Sequence, residues 1–393
     1  MTERLEAPGA WRVVWAAFAA LALIFGVAYS FAAFFQSFAS TFNAQRGDVA
    51  LVFGLSGLMY FVLGAPGGML ADRYGPRRVT SAGMVCIALG LLAGSFASSI
   101  GWIYLAYGVG VGVGIALVYT PAIGCVQPWF TTRRGLAAGL ASAGIGAGTI
   151  VVPVLVALAI DTLLWRDAMR VLALAVLVLG LAVTLSLQRA PAARVGRGEV
   201  VPGMSLAQAV RSRNFRWLYF GVFVASPSMF IPFAHVSAAA RDLGIDDARA
   251  VGLVGLIGLG SLTGRFAIGA VADRVGRART LVLAQAAMGL SYLMWGAAGG
   301  YVALAVFALW LGLAYGGIVS LLPALCMDYF GARAVSGIIG TLYSGAALGN
   351  LLGPWAAGRV FDHSGSYTAV VWACLVLSTL ATLAATQLRQ NAS

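Results

Sequence analysis

Arg265 makes the strongest chemical demand in this chain. It lies inside Val251 to Val271, a run with no other charged residue and long enough to cross a bilayer. Burying a guanidinium at such a depth costs about 2.5–3.5 kcal/mol on insertion scales. That cost is met when the residue faces a wet cavity and binds an anion. A buried carboxylate partner is the alternative, but no Asp or Glu falls in the central part of any apolar run. The planar donor edge of arginine matches a carboxylate at two points. All 25 basic residues are arginine, so no intramembrane lysine stands by to meet a second carboxylate. One buried cation suits a ligand with one carboxylate group.

Polar-tipped aromatics are the expected neighbours of such an anion, because a buried phenol needs a hydrogen-bond partner. Tyr119, in Leu117-Val-Tyr-Thr-Pro121, Tyr315 and Tyr343 are candidates, with Tyr29 behind them, and Asn350 offers an amide. Each is equally explicable as a core or interhelical residue. His235 follows Pro232 near the end of an apolar run and is the one histidine placed to relay protons, its ordinary pKa being about 6.5. His363 is far from it in sequence, and the four cysteines have no ligand spacing, so no metal is expected. The absence of lysine excludes a Walker lysine and a Schiff-base lysine, and no nucleophile–base pattern appears. Neither a cofactor nor an enzymatic activity is expected.

The elements that must hold these residues are membrane helices. The chain is 61% hydrophobic and only 10% charged, with a mean hydropathy of +0.91; soluble domains carry about 25% charge. Twelve apolar runs follow one another, near 11–38, 49–70, 79–97, 102–126, 136–158, 168–187, 215–238, 250–271, 280–298, 301–326, 335–357 and 368–387. The first is too long for a cleavable signal segment and is expected to stay. Residues 188–214 are polar, basic and contain Pro191 and Pro202. They divide the chain into an expected six-helix bundle over 1–187, a linker over 188–214 and a second bundle over 215–393.

The two halves repeat at an offset of 201 residues. Ala71-Asp-Arg-Tyr-Gly-Pro-Arg-Arg78 corresponds to Ala272-Asp-Arg-Val-Gly-Arg-Ala-Arg279, while Gly139, Gly144, Gly148 and Pro153 correspond to Gly340, Gly345, Gly349 and Pro354. Parallel six-helix repeats place a ligand at the interface of the halves near the midplane. Arg265 corresponds to Gly64, so its charge breaks the repeat. Arginines number 18 on the side of the termini and linker against 6 on the other. That asymmetry predicts that both termini and the linker are cytoplasmic. The net charge of +12 is explained by those loops and needs no nucleic-acid partner.

The doubled Gly-x-x-x-Asp-Arg-x-Gly loop (Gly68, Asp72, Arg73 and Gly75; Gly269, Asp273, Arg274 and Gly276) resembles the signature of the major facilitator superfamily. The stretch Trp129-Phe-Thr-Thr-Arg133-Arg134-Gly-Leu-Ala-Ala-Gly through Gly148 is similar to that of the monocarboxylate transporter family and its oxalate/formate-antiporter relatives. The likeness extends through Gly340-Thr-Leu-Tyr343-Ser-Gly345 to Pro354. It implies a gating role for Asp72, Arg73, Asp273, Arg274, Arg133 and Arg134, and a substrate-anchoring role for Arg265. It also implies that Tyr119 lines the cavity. Two departures matter. Ser261 stands where animal members carry an acidic residue one turn before the arginine, which leaves proton symport unsecured. The oxalate/formate branch's lysine of helix 11 is missing, since this chain has none.

The expected protein is therefore an all-α membrane transporter in a bacterial inner membrane, a monomer among lipids. Its expected cargo is a small monocarboxylate of the lactate or pyruvate type, moved by alternating access with proton symport or anion exchange. An efflux transporter for drugs or other amphiphiles is the rival, and would need a wide apolar cavity. A carboxylate sensor is the rival of another class.

Overall fold

The computed structural model describes residues 9–130, 134–189, 203–331 and 333–388. Among them stand twelve long helices, as the apolar runs predict. They are α1 (Ala10–Tyr29, continuing as Phe31–Phe42), α2 (Arg46–Val62, continuing as Gly64–Tyr74), α3 (Pro76–Ser95), α4 (Ile100–Val126), α5 (Arg134–Thr162) and α6 (Trp165–Thr184). The second six are α7 (Arg213–Asp242), α8 (Asp247–Val275), α9 (Arg277–Gly296), α10 (Tyr301–Phe330), α11 (Val335–Ser364) and α12 (Thr368–Thr386). Nine are long and apolar enough to cross a bilayer, and the bent pair in α2 makes a tenth. The other two, α9 and α11, are as long but carry more polar residues, among them Gln285 and Asn350. Odd-numbered helices run from the face where the described chain stops at Arg189 and resumes at Gly203, here the linker face, to the opposite face.

Local chemistry explains the departures from straight rods. In α1 the Ser30 hydroxyl donates to the Gly26 carbonyl at 2.7 Å, and the helix then continues to Phe42, beyond the expected end at 38. Asn43 ends it in the left-handed conformation, φ 47°. The 44° bend in α2 falls just before Pro66, whose ring nitrogen cannot bond the Val62 carbonyl. In α4, Tyr104–Val111 winds as a wider π-helix ahead of Pro121. Within the expected linker a short helix, Leu206–Arg211, is closed by a Ser205–Gln208 capping box. Met204 N–H donates to the Phe330 carbonyl at 2.7 Å, which ties this end of the linker to α10.

The repeat is visible in the backbone. Gly75 (φ 95°) and Gly276 (φ 94°) turn the chain between α2 and α3 and between α8 and α9 in a conformation that L side chains rarely adopt. Each N–H closes back on the carbonyl four residues earlier, Ala71 and Ala272, at 2.8 and 2.9 Å.

Without a hydrophobic drive between helices in lipid, close packing depends on small residues. A Cβ at Gly144 or Gly148 of α5 would collide with the Phe18 or Ala22 carbonyl of α1. Gly260 and Gly264 of α8 sit equally tight against Leu309 and Leu313 of α10. Gly139, earlier on α5, faces open space. The halves meet along α2 with α11 and α5 with α8. Farther out, α3 pairs with α6 and α9 with α12, and Leu89, Leu174, Leu290 and Trp372 on these helices are exposed, as lipid-facing residues are.

Candidate functional site

Arg265 lies near the middle of α8, 9% exposed. Its Nη1 crosses between the halves and donates to the Ser142 carbonyl of α5 at 2.8 Å. Its Nη2 is buried and has no partner among the described residues. Among the same residues no carboxylate pairs with it; their ion pairs lie at helix ends. Ser261, one turn earlier, is 2% exposed, and its Oγ has no partner among the described residues.

Arg265 faces a cavity between the halves. Phe25 of α1, Tyr60 and Phe61 of α2, Tyr119 of α4 and Ile145 of α5 line it from the first half. The second half supplies Val222, Met229 and Phe230 of α7, Arg265 of α8, Tyr315, Val319 and Leu322 of α10, and Tyr343 and Ala346 of α11. Four helices of each half therefore converge on it. Centres of water-sized solutes have about 50 Å³ to occupy. At about 10–15 Å³ per water, that suits a few waters or one small solute.

The sequence candidates separate on this geometry. Arg265, Tyr119, Tyr315 and Tyr343 come together on the cavity wall. Tyr29 stands behind Tyr315 with the phenol oxygens 3.5 Å apart, and stacks on Phe233 with centroids 4.3 Å apart. Asn350 does not line the cavity. It is fully buried between α11 and α2, with Nδ2 3.5 Å from the Gly54 carbonyl. Sequence reasoning missed Tyr60 and the aromatic set of Phe25, Phe61 and Phe230. Phe25 packs edge-on to both Tyr60 and Tyr119, and Phe61 bridges Phe230 and Tyr343. Within an apolar helix these rings carry no signal that separates cavity from core.

Of the gating candidates, Arg133 lies outside the described residues, as do the side chains of Asp72, Asp273 and Arg134. Arg73 and Arg274 are exposed on the linker face, Arg73 lying over the Tyr74 ring at 5.2 Å. An ion pair on that face, unforeseen from sequence, joins Arg277 to Asp328 of α10 at 2.5 Å.

His235 is completely buried rather than set on an open path. It belongs to a network that joins the halves at the opposite face and that sequence reasoning did not foresee. Arg46 at the start of α2 holds Asp242 of α7 through both nitrogens, at 2.7 and 2.5 Å, and lies 3.8 Å over the Phe361 ring. Asp362 of α11 accepts the Arg46 and Gly47 N–H groups, each at 2.9 Å, so a carboxylate caps the positive end of α2. Arg359 donates to Gln45 at 2.6 Å.

Helices from both halves around a cavity that holds Arg265, which has no carboxylate partner among the described residues, are the architecture of a multi-span membrane transporter. The family model for the Major Facilitator Superfamily matches residues 16–267 and 218–390. Monocarboxylate transporter 13 of Rattus norvegicus is 30% identical over 375 residues, covering 94% of this chain and 87% of that protein. The chain belongs to the major facilitator superfamily and, within it, to the monocarboxylate transporter family. The fujikurins efflux protein of Gibberella fujikuroi is 29% identical over 283 residues, 72% of this chain and 60% of that one. Among solved structures, a bacterial homolog of the human lysosomal transporter Spinster, inward-facing and unoccupied, superposes with a TM-score of 0.78. It shares 16% identity and covers 98% of both chains.

Proposed function

We propose that this transporter moves a small monocarboxylate by alternating access, with the substrate carboxylate completing the hydrogen bonding of Arg265. The observation that carries this reading is the buried Nη2, unpartnered among the described residues, at the wall of a cavity between the halves. A guanidinium with one nitrogen held by Ser142 is pre-oriented, so little ordering cost remains when an anion arrives. The phenols of Tyr119, Tyr315 and Tyr343 are placed to take a second polar group, such as the hydroxyl or keto oxygen of a short acid. The names of the mammalian relatives support the substrate class.

The six-helix units are 1–187 and 215–393, joined by 188–214, with both termini and the linker on the cytoplasmic side. Asp72, Arg73, Asp273, Arg274, Arg133 and Arg134 act at that side as the gate. Energy comes from the substrate gradient, from protons or from exchange. The fungal efflux relative and the largely apolar lining favour a second reading, export of an amphiphile; the small cavity weighs against it. Counterflow into proteoliposomes with labelled mono- and dicarboxylates, with and without a proton gradient, tests the choice. Saturable uptake of acids of two to four carbons is expected. Equal or better exchange of large amphiphiles, with no response to the acids, would overturn it.

A further inference from the structure

The hydrogen bonds around His235 run in one direction only. The Pro354 carbonyl, 2.8 Å from Nε2, can only accept, so Nε2 carries a proton. Arg46 Nη1, 3.0 Å from the Tyr367 phenol oxygen, can only donate, so that oxygen accepts. The phenol keeps its own O–H to give, and His235 Nδ1 stands 3.0 Å away. The chain is Arg46 N–H to Tyr367 O–H to His235 Nδ1, with His235 Nε2–H closing on Pro354. It holds the imidazole as the neutral Nε2–H tautomer.

This chain also ties the halves together, since Arg46 comes from α2 of the first and His235, Pro354 and Tyr367 from the second. We propose that His235 is a proton-binding site that controls closure of the opposite face: neutral, it completes the closed network; protonated, it opposes closure. A proton on Nδ1 removes the acceptor of the Tyr367 O–H. It also sets a second cation, on a fully buried ring, near Arg46. The carboxylates at hand are already engaged, Asp242 by Arg46 and Asp362 by the start of α2. Farther out, Arg359 lies 4.0 Å from Asp48, and the His363 ring is taken by the Arg359 carbonyl. Phe35 packs edge-on against the His235 imidazole and Trp295 against Tyr367, so the Pro354 carbonyl is the one direct partner an imidazolium would keep among the described residues, with the engaged Asp362 carboxylate beyond it. Once the face opens, water hydrates the ring and the penalty disappears. Acid on the opposite side therefore shifts the protein toward the state open to that side. The inference does not depend on which substrate is carried.

Spin labels test it, in protein whose four native cysteines are replaced by serine. Leu164→Cys, between α5 and α6, and Val302→Cys, at the start of α10, are exposed and report the gap between the halves at the opposite face. Lowering the pH from 8 to 5 should increase the population at the longer distance several-fold. Arg46→Ala should give the longer distance at both pH values. His235→Gln keeps a donor for Pro354 but cannot titrate at these pH values, and should flatten the response. Tyr367→Phe leaves His235 titratable but removes the O–H that needs Nδ1, and should shrink the response. No pH response in the parent protein, a full response in His235→Gln, or an unchanged distance in Arg46→Ala would each overturn the proposal. An undiminished response in Tyr367→Phe would overturn the hydrogen-bond argument behind it.

Discussion

Arg265 of α8 and the backbone carbonyl of Ser142 of α5 are joined at 2.8 Å across the interface of the two halves. The side chain proposed to anchor the substrate is therefore also a strut between the two halves. An anion bound at Nη2, which has no partner among the described residues, would neutralise the guanidinium and loosen its hold on a neutral carbonyl. On the proposed reading, occupancy and rocking would be coupled through one residue.

Arg265→Ala should reduce carboxylate uptake by at least about 30-fold, the roughly 2 kcal/mol minimum for truncating one partner of a buried charge pair. Folding should survive, since an unpaired buried cation is itself a cost. Arg265→Lys keeps the charge but loses the fork that serves Ser142 and the substrate together, so uptake should stay severely impaired. Near-normal uptake by Arg265→Ala, at matched abundance in the membrane, would end the carboxylate reading.

The twelve helices and the repeat were legible because hydropathy and glycine spacing are properties of continuous sequence. Arg265 was legible because an isolated charge in an apolar run has few explanations. Tyr60 and Asn350 were not, because helices rotate about their axes and only packing decides which face meets the cavity. Tyr60 faces it while Asn350, an equally plausible candidate, is spent on the contact with α2. The Arg46 network was hidden for a different reason: Arg46, Asp242 and Asp362 are about 120 to 320 residues apart and each resembles an ordinary loop charge.

The arginine asymmetry of 18 to 6 predicts that reporter fusions at Gly196 and at the C-terminus read out the cytoplasm. A fusion at Asp246, between α7 and α8, should read out the other side. Cytoplasmic signal at Asp246 would contradict the orientation assigned to the opposite face.

Glycine contacts give a prediction with an internal control. Gly144→Ala pushes a methyl into the Phe18 carbonyl of α1 and should lower the melting temperature in detergent by several degrees, since overpacking costs about 1–3 kcal/mol. Gly139→Ala meets nothing within 4 Å on the same helix and should leave it unchanged or slightly raised, because alanine favours helix by about 1 kcal/mol over glycine. Equal loss in both variants would mean that α1 and α5 do not pack as described.

The pair between Arg46 and Asp242 predicts a rescue by charge exchange. The two side chains are 22% and 37% exposed, so screening weakens the pair but does not abolish it. Arg46→Asp should place two carboxylates together, with Asp362 close by, and open the opposite face. Asp242→Arg should set two guanidiniums against each other with the same result. Combining them restores opposite charges across the interface, although Tyr367 loses its donor and Phe361 its cation. The double variant should therefore recover part of the closed population and of the transport rate, with a coupling energy of about 0.5–3 kcal/mol. Cysteine accessibility on the two faces measures the population. If the double variant is no more closed than the worse single one, the contact does not hold the halves together.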